Sequence, residues 1–275
     1  MSMDCQKPKL HNLESPVGNR RDLGQRLQAA VQSYWDVRTT NREKQVESGK
    51  IDAGIRGEVT GGTQMAALEA LVADILCEAG LRKLDIRTRT SLELPGYFRA
   101  TKKWDLIVIS EGQLVLAMEF KSQAGKSIGN NVSNRAEEAV GSAKDLWTAF
   151  REGRFGQGAV TPFLGYLFLL EDRSSVKTPV ANKEPYFPVD PVFRGELVET
   201  GKTRTVRYQG VSYAQRYELL CRRLVLERIY SAACFLTATN SPATKISQPA
   251  PDLTFDRFAA ALRGHVVTFV GSQKR

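Results

Sequence analysis

The sequence predicts an α/β domain with helical additions at both ends, and three observations predict it. Apolar residues recur at helical spacing in residues 61–80, two strand-length apolar segments follow at 104–109 and 114–121, and a continuous apolar run occupies 163–170. The first helix is expected over residues 20–44, where Leu23, Leu27, Val31 and Tyr34/Trp35 repeat at helical intervals. In 61–80 the stripe is Met65, Leu68, Leu71/Val72, Ile75/Leu76 and Ala79, with Thr63 as the expected N-cap and Gly80 as the left-handed stop. Residues 84–94 mix β-branched and charged positions and read as a strand. Gly112 marks the turn between the next two strands, which are stronger.

Residues 134–150 return to helix, with Ala136, Ala139/Val140, Ala143, Leu146/Trp147 and Phe150 on one face. The run 163–170 reads as a buried strand. Residues 177–210 carry Pro179, Pro185, Pro188 and Pro191 and show no period. A long helix with arginines on one side is expected over 213–237, and a short one over 255–262. With no repeat and no linker, a single domain is expected across residues 1–275, its core at about 61–170 and a basic helical C-terminal part at about 200–275.

The chain of 275 residues is 42% hydrophobic, enough for a large core and too much for disorder. Its 39 Lys and Arg against 30 Asp and Glu leave a net charge of +9, which favours a polyanionic partner, nucleic acid or an anionic membrane surface. No run of 18 apolar residues predicts a membrane span, and the N-terminus lacks a signal-like apolar stretch. An intracellular, cytoplasmic protein is expected. Cys5, Cys77, Cys221 and Cys234 are too scattered for a zinc or disulfide framework. The segment Ala124–Ser127 resembles a phosphate loop, but Phe120 stands where its first glycine is required. His11 and His265 lie far in sequence from any acidic cluster, which weakens mechanisms built on a histidine base.

One constellation remains. Alternation along the second strand places Val115, Ala117, Glu119 and Lys121 on one face, and Leu114, Leu116, Met118 and Phe120 on the other. An antiparallel hairpin closed by a three-residue loop, 111–113, sets Ile109 opposite Val115, Ile107 opposite Ala117, and Asp105 opposite Glu119. Facing carboxylates repel unless a divalent cation lies between them, and Mg²⁺ binds through one or two carboxylates, waters and phosphates. Lys121 then stands ready to orient water or neutralise charge on phosphorus. A plain strand-end salt bridge is the competing reading. The basic composition and the cost of charges at the ends of apolar strands favour catalysis.

The D…EXK arrangement after a helix resembles the PD-(D/E)XK nuclease superfamily, although Trp104 stands where that pattern has proline. The stretch Met118-Glu-Phe-Lys-Ser-Gln, followed by Gly129-Asn-Asn-Val-Ser-Asn-Arg-Ala-Glu-Glu-Ala-Val-Gly-Ser-Ala, is similar to the XhoI family of type II restriction endonucleases. The resemblance implies a restriction-endonuclease-like fold, a central mixed β-sheet flanked by helices. It also implies a homodimer that cuts both strands of duplex DNA with Mg²⁺ at the palindrome CTCGAG, protected in the cell by a cognate methyltransferase. Asp105 and Glu119 are then metal ligands together with the Phe120 carbonyl, and Lys121 assists the nucleophile. Glu69 either completes the metal shell, as an acidic helix residue does in similar nucleases, or is a solvated helix charge.

Gln123 is a candidate for a phosphate or water contact, or for a bond to the next loop. Asn130, Asn131, Asn134 and Arg135 are candidates for DNA contact, since Asn and Arg bond adenine and guanine in two places each. Asn134 with Glu137 also makes an N-cap box. Arg222 and Arg223, in a basic stretch that includes Lys202, Arg204, Arg207, Arg216 and Arg228, are expected on phosphates or on a solvated helix face. Two rival functions share these features: a junction resolvase or repair nuclease, and a non-catalytic DNA-binding regulator.

Overall fold

A computed structural model describes residues 20–47, 64–125, 128–183, 185–200 and 205–273. The helices are α1 (Arg20–Glu47), α2 (Ala66–Glu78), α3 (Ile128–Arg151), α4 (Ser174–Lys177), α5 (Tyr213–Leu226) and α6 (Phe255–Gln273). The strands begin with β1 (Ile86–Arg87), β2 (Glu93–Pro95), β3 (Thr101–Lys103), β4 (Leu106–Ser110), β5 (Gln113–Gln123) and β6 (Phe163–Glu171). They continue with β7 (Pro179–Lys183), β8 (Glu196–Thr200), β9 (Thr205–Ser212), β10 (Ala232–Thr239) and β11 (Lys245–Ser247).

The main sheet runs β1-β4-β5-β6-β10-β11. Its central pairs, β5 with β6 and β6 with β10, are parallel, and its outer pairs are antiparallel. Parallel neighbours require crossovers, and α3 and α5 supply them. Both pack on one face, where Ala139, Ala143 and Leu146 of α3 and Tyr217, Cys221 and Leu224 of α5 cover Ile107, Ala117, Tyr166 and Phe168. Helices α1, α2 and α6 cover the other face, burying Val31, Trp35, Leu68, Ile75, Phe258 and Leu262 against Val108, Met118 and Leu236. A mixed sheet between two helical layers is the expected fold. Burial on both faces explains why β6 and β10 lack polar alternation.

Gly80 ends α2 as expected, with φ +115°. The Leu81 N–H bonds to the Leu76 carbonyl and the Gly80 N–H to the Cys77 carbonyl, a Schellman closure. The helix begins at Ala66 with no side-chain cap at Met65; Thr63 lies outside the described residues.

Several expectations are corrected. Residues 84–94 form the end of a 3-10 turn (Lys83–Asp85), β1 and the start of β2, with bends between the strands and Ser91 at φ 54°. Helix α3 starts at Ile128, so Asn134 sits inside it and caps nothing. The stretch 177–210 holds β7, β8 and part of β9, a small antiparallel sheet in the order β7-β9-β8. The helix expected to reach 237 stops at Leu226. Arg228 turns left-handed at φ 54°, and residues 232–239 become β10 in the main sheet. An apolar run with no polar face fits a buried strand and a buried helix equally, and the contact with β6 decides. The sheet therefore extends past residue 170, and residues 200–275 are not wholly helical.

The hairpin β4–β5 also differs from expectation in an informative way. Its turn has two residues, Glu111 and Gly112, both with positive φ (50° and 73°), as a twist-matched hairpin turn requires. Ile109 therefore pairs with Leu114 rather than Val115. Val115 is then an extra residue in a bulge, after which Val108 pairs with Leu116 and Ile107 with Ala117. Beyond the bulge the register equals the one expected from a three-residue loop. Before it the faces exchange: Val115 joins Leu116 and Met118 in one core, and Leu114 joins Ala117 in the other. His265 Nε2–H on α6 donates to the Val115 carbonyl at 2.9 Å, so that histidine has a structural bond.

Candidate active site

The site is built where β4 begins and β5 passes it. Asp105 lies in the bend before β4, and its N–H bonds to the Met118 carbonyl at 3.1 Å, continuing the ladder toward Glu119. Its Oδ2 accepts the Phe120 N–H at 2.7 Å. The first carboxylate is thus fixed to the residue between Glu119 and Lys121. Burial, and then the Glu119 charge, raise the Asp105 carboxyl above its ordinary value.

Glu119 is buried, 4% exposed, and both its oxygens have ammonium partners. Lys121 Nζ lies 2.5 Å from Oε1 and Lys102 Nζ 2.6 Å from Oε2. Burial pushes the Glu119 carboxyl up, but the two lysines outweigh it and hold it below its usual range. Burial works against the Lys121 charge, yet Glu119 keeps that ammonium above its ordinary value. Lys121 is therefore a fixed cation. Lys102 is new to the site: it stands on β3, three residues before Asp105 in a Lys-Lys-Trp-Asp run, with its Nζ 4.3 Å from the Trp104 ring centre.

Glu69 lies on α2 and is 9% exposed, so it is no solvated helix charge. Burial and then the Asp105 charge push its carboxyl up to about 7, with Arg89 opposing. Three carboxylates thus feel one another, though among the described residues no group of three or more His, Cys, Asp or Glu closes to a metal-ligand cluster. Asp105 and Glu119 are the two carboxylates that could hold a metal, and Glu69 is a third acidic group that the Asp105 charge reaches.

The remaining candidates spread out. Gln123 is buried at the end of β5, opposite Leu170. On α3, Asn131 is half-buried and Asn134 exposed; the Asn130 side chain lies outside the described residues. Arg135 Nη1 pairs with Glu138 at 2.6 Å, while its buried Nε has no hydrogen-bond partner among the described residues. Its charge reaches Lys121, Tyr166 and Tyr217, placing it beside the site instead of out on the surface. Tyr166 stands next to Glu119 in the β5–β6 register, its buried hydroxyl without a hydrogen-bond partner among the described residues.

Arg222 and Arg223, expected on phosphates or on a solvated helix face, are both engaged by carboxylates of the chain. Arg222 is held by both oxygens of Asp252, at 2.8 and 3.0 Å, and by Glu218 at 2.8 Å. Arg223 is held by Asp190 at 2.7 Å and lies over the Phe193 ring. In the DNA-free chain their charges are partnered by part-exposed carboxylates, so phosphate contact would have to displace those pairs. The side chains of Lys202, Arg204 and Arg207 lie outside the described residues.

The fold, helices on both faces of a mixed sheet with Asp105, Glu119 and Lys121 at adjoining strands, is that of a restriction-endonuclease-like nuclease. The chain belongs to the restriction endonuclease XhoI family, whose profile matches residues 44–248. It is similar to the type II restriction enzyme BstVI of Geobacillus stearothermophilus, 42% identical over 228 residues, covering 80% of this chain and 94% of that one. It is also similar to AbrI of Azospirillum brasilense (47% over 167 residues, 60% and 74% covered) and XhoI of Xanthomonas vasicola (41% over 199 residues, 72% and 73% covered). No solved structure matches it significantly. As a member of this family it is an enzyme, a nuclease acting on DNA. Among the described residues no helix is long and apolar enough to cross a membrane.

Proposed function

We propose that this enzyme is a type II site-specific deoxyribonuclease that hydrolyses both strands of duplex DNA at a palindrome, CTCGAG, with Mg²⁺. It acts in this reading as a homodimer of single-domain subunits, in a restriction–modification system whose methyltransferase protects the same site. The observation that carries the chemistry is the convergence of Asp105, Glu119 and Lys121 on the β4–β5 pair. The target rests on the resemblance to the XhoI family. Dimerisation rests on symmetry, since two chemically identical cuts call for two identical sites.

The donor set fits a hard divalent cation. Two carboxylates lie side by side, Glu119 buried on β5 and Asp105 half-buried just before β4, and burial, then the Glu119 charge, raise the Asp105 carboxyl. Asp105, Glu119 and the Phe120 carbonyl would hold the ion, with Glu69 as a more distant charge. A bound divalent cation supplies Lewis acidity toward the scissile phosphate and toward water. The chain supplies the rest. The Phe120 N–H keeps Asp105 oriented, and the Lys121 ammonium, charged at neutral pH, neutralises the negative charge that develops on the phosphoryl oxygens and orients the attacking water. Arg135 adds positive charge on the α3 side.

Digestion of a plasmid of known sequence with Mg²⁺, followed by mapping of the ends, tests the proposal. Discrete fragments ending at CTCGAG support it, and fragments ending at another palindrome overturn the target alone. Structure-dependent nicking favours a resolvase or repair nuclease, and intact plasmid favours a DNA-binding regulator.

A further inference from the structure

Two lysines serve Glu119, and only one belongs to the strand that carries it. Lys121 stands two residues away on β5. Lys102 comes from β3, which among the described residues pairs with β2 and stands outside the main sheet. Its Nζ lies 2.6 Å from Glu119 Oε2 and 3.1 Å from the Lys103 carbonyl. Since Lys121 occupies Oε1, both Glu119 oxygens are shared with ammonium groups. A divalent cation approaching either oxygen meets a cation already there, and like charges at one oxygen repel.

We propose that Lys102 is a placeholder cation: in the DNA-free enzyme it caps Glu119, and on DNA binding it transfers to a backbone phosphate, opening Glu119 to the divalent ion. This inference rests on the reading of Asp105 and Glu119 as the metal donors. The hairpin supports a role at the DNA surface. Its tip, Gly96–Ala100, is pinned to α3, with the Tyr97 and Phe98 N–H groups donating to Asp145 Oδ1 at 2.8 and 2.7 Å and Arg99 Nε 2.9 Å from Oδ2. Lys102 therefore moves as a side chain on a held backbone, and its four-carbon stem gives the reach. Its side chain is 11% exposed, at the rim of the site, and the same hairpin exposes Tyr97, Phe98, Arg99 and Lys103. Cations interleaved with exposed aromatics suit a nucleic-acid backbone and its bases.

Lys102 has only to exchange a carboxylate for a phosphate, which couples metal binding to DNA binding through one side chain.

The test is Mn²⁺ binding to the DNA-free protein, followed by loss of the free-ion EPR signal. It is run with wild type, Lys102→Met, Lys102→Arg and Glu119→Ala, each checked for a native melting curve. Lys102→Met keeps an unbranched chain but removes the charge, and should bind Mn²⁺ roughly tenfold more tightly than wild type. Lys102→Arg should remain weak. In EDTA, fluorescence anisotropy with a 20-base-pair duplex containing CTCGAG should show Lys102→Met losing affinity, with the salt slope lowered by about one phosphate contact. Should Lys102→Met not fold, Lys102→Gln repeats the measurement. Unchanged or weaker Mn²⁺ binding by the folded neutral variant overturns the inference. If Glu119→Ala binds Mn²⁺ like wild type, the metal-donor reading itself fails, and the two failures are distinct.

Discussion

The Asp105 carboxylate accepts the backbone N–H of Phe120 at 2.7 Å, so the first acidic residue is tied to the strand position between Glu119 and Lys121. This bond fixes Asp105 independently of any cation. Replacing Asp105 by Asn keeps an acceptor for Phe120 but removes the charge. Asp105→Asn should therefore fold normally and lose cleavage by at least about a thousandfold, while binding duplex DNA as well as wild type or better. Glu119→Ala and Lys121→Ala should likewise abolish cleavage. Near-wild-type plasmid digestion by any of the three would reduce the group to a strand-end ion pair.

Glu69 predicts a pH dependence of stability. Its carboxyl is pushed from 4.5 up to about 7 in the folded chain, so the folded state holds the proton more tightly than the unfolded state. Above pH 7 the buried charge costs stability; the cost fades as pH falls from 7 toward 4.5 and is absent below. Glu69→Gln should therefore stabilise the protein by about 2 kcal/mol at pH 8 in EDTA and leave it nearly unchanged at pH 4.5. Urea melts at both pH values check this, and an equal change at each would show that Glu69 is not shifted.

Asp145 holds the tip of the β2–β3 hairpin by two backbone N–H groups and Arg99 while itself only 2% exposed. Asp145→Ala should cost roughly 2 kcal/mol, because two part-buried N–H groups and Arg99 lose a charged acceptor. Limited proteolysis should then cut first between Pro95 and Lys103. Gly96→Ala should act similarly, since an added Cβ would lie 2.6 Å from Asp145 Oδ2. A hairpin as protease-resistant as wild type in Asp145→Ala would show that the anchor lies elsewhere.

Arg222 separates stability from DNA affinity. Its partners Asp252 and Glu218 are partly exposed, so Arg222→Ala should cost only about 1 kcal/mol of stability. The salt slope of DNA binding should stay the same. A slope lowered by one contact, with unchanged stability, would restore the phosphate role that the ion pairs argue against.

What the sequence determined by itself is the local part of this protein. Apolar periods marked α1 and α2, a continuous apolar run marked β6, Gly80 marked the end of α2, and strand parity put Glu119 and Lys121 on one face, across from Asp105. Each follows from geometry over a few residues, where side-chain direction is set by the repeat of the backbone. Tertiary structure decided everything that depends on a partner far along the chain. The Val115 bulge is not written in any period, and its carbonyl is satisfied by His265, 150 residues away. Residues 232–239 are a strand because β6 and β11 lie on either side of them. Arg222 is neutralised because Asp252 comes back to it, and Lys102 reaches Glu119 only because the β2–β3 hairpin folds over the sheet. Charge and hydrophobicity name the groups a residue is able to satisfy; only packing brings those groups within the few ångströms over which hydrogen bonds and ion pairs act.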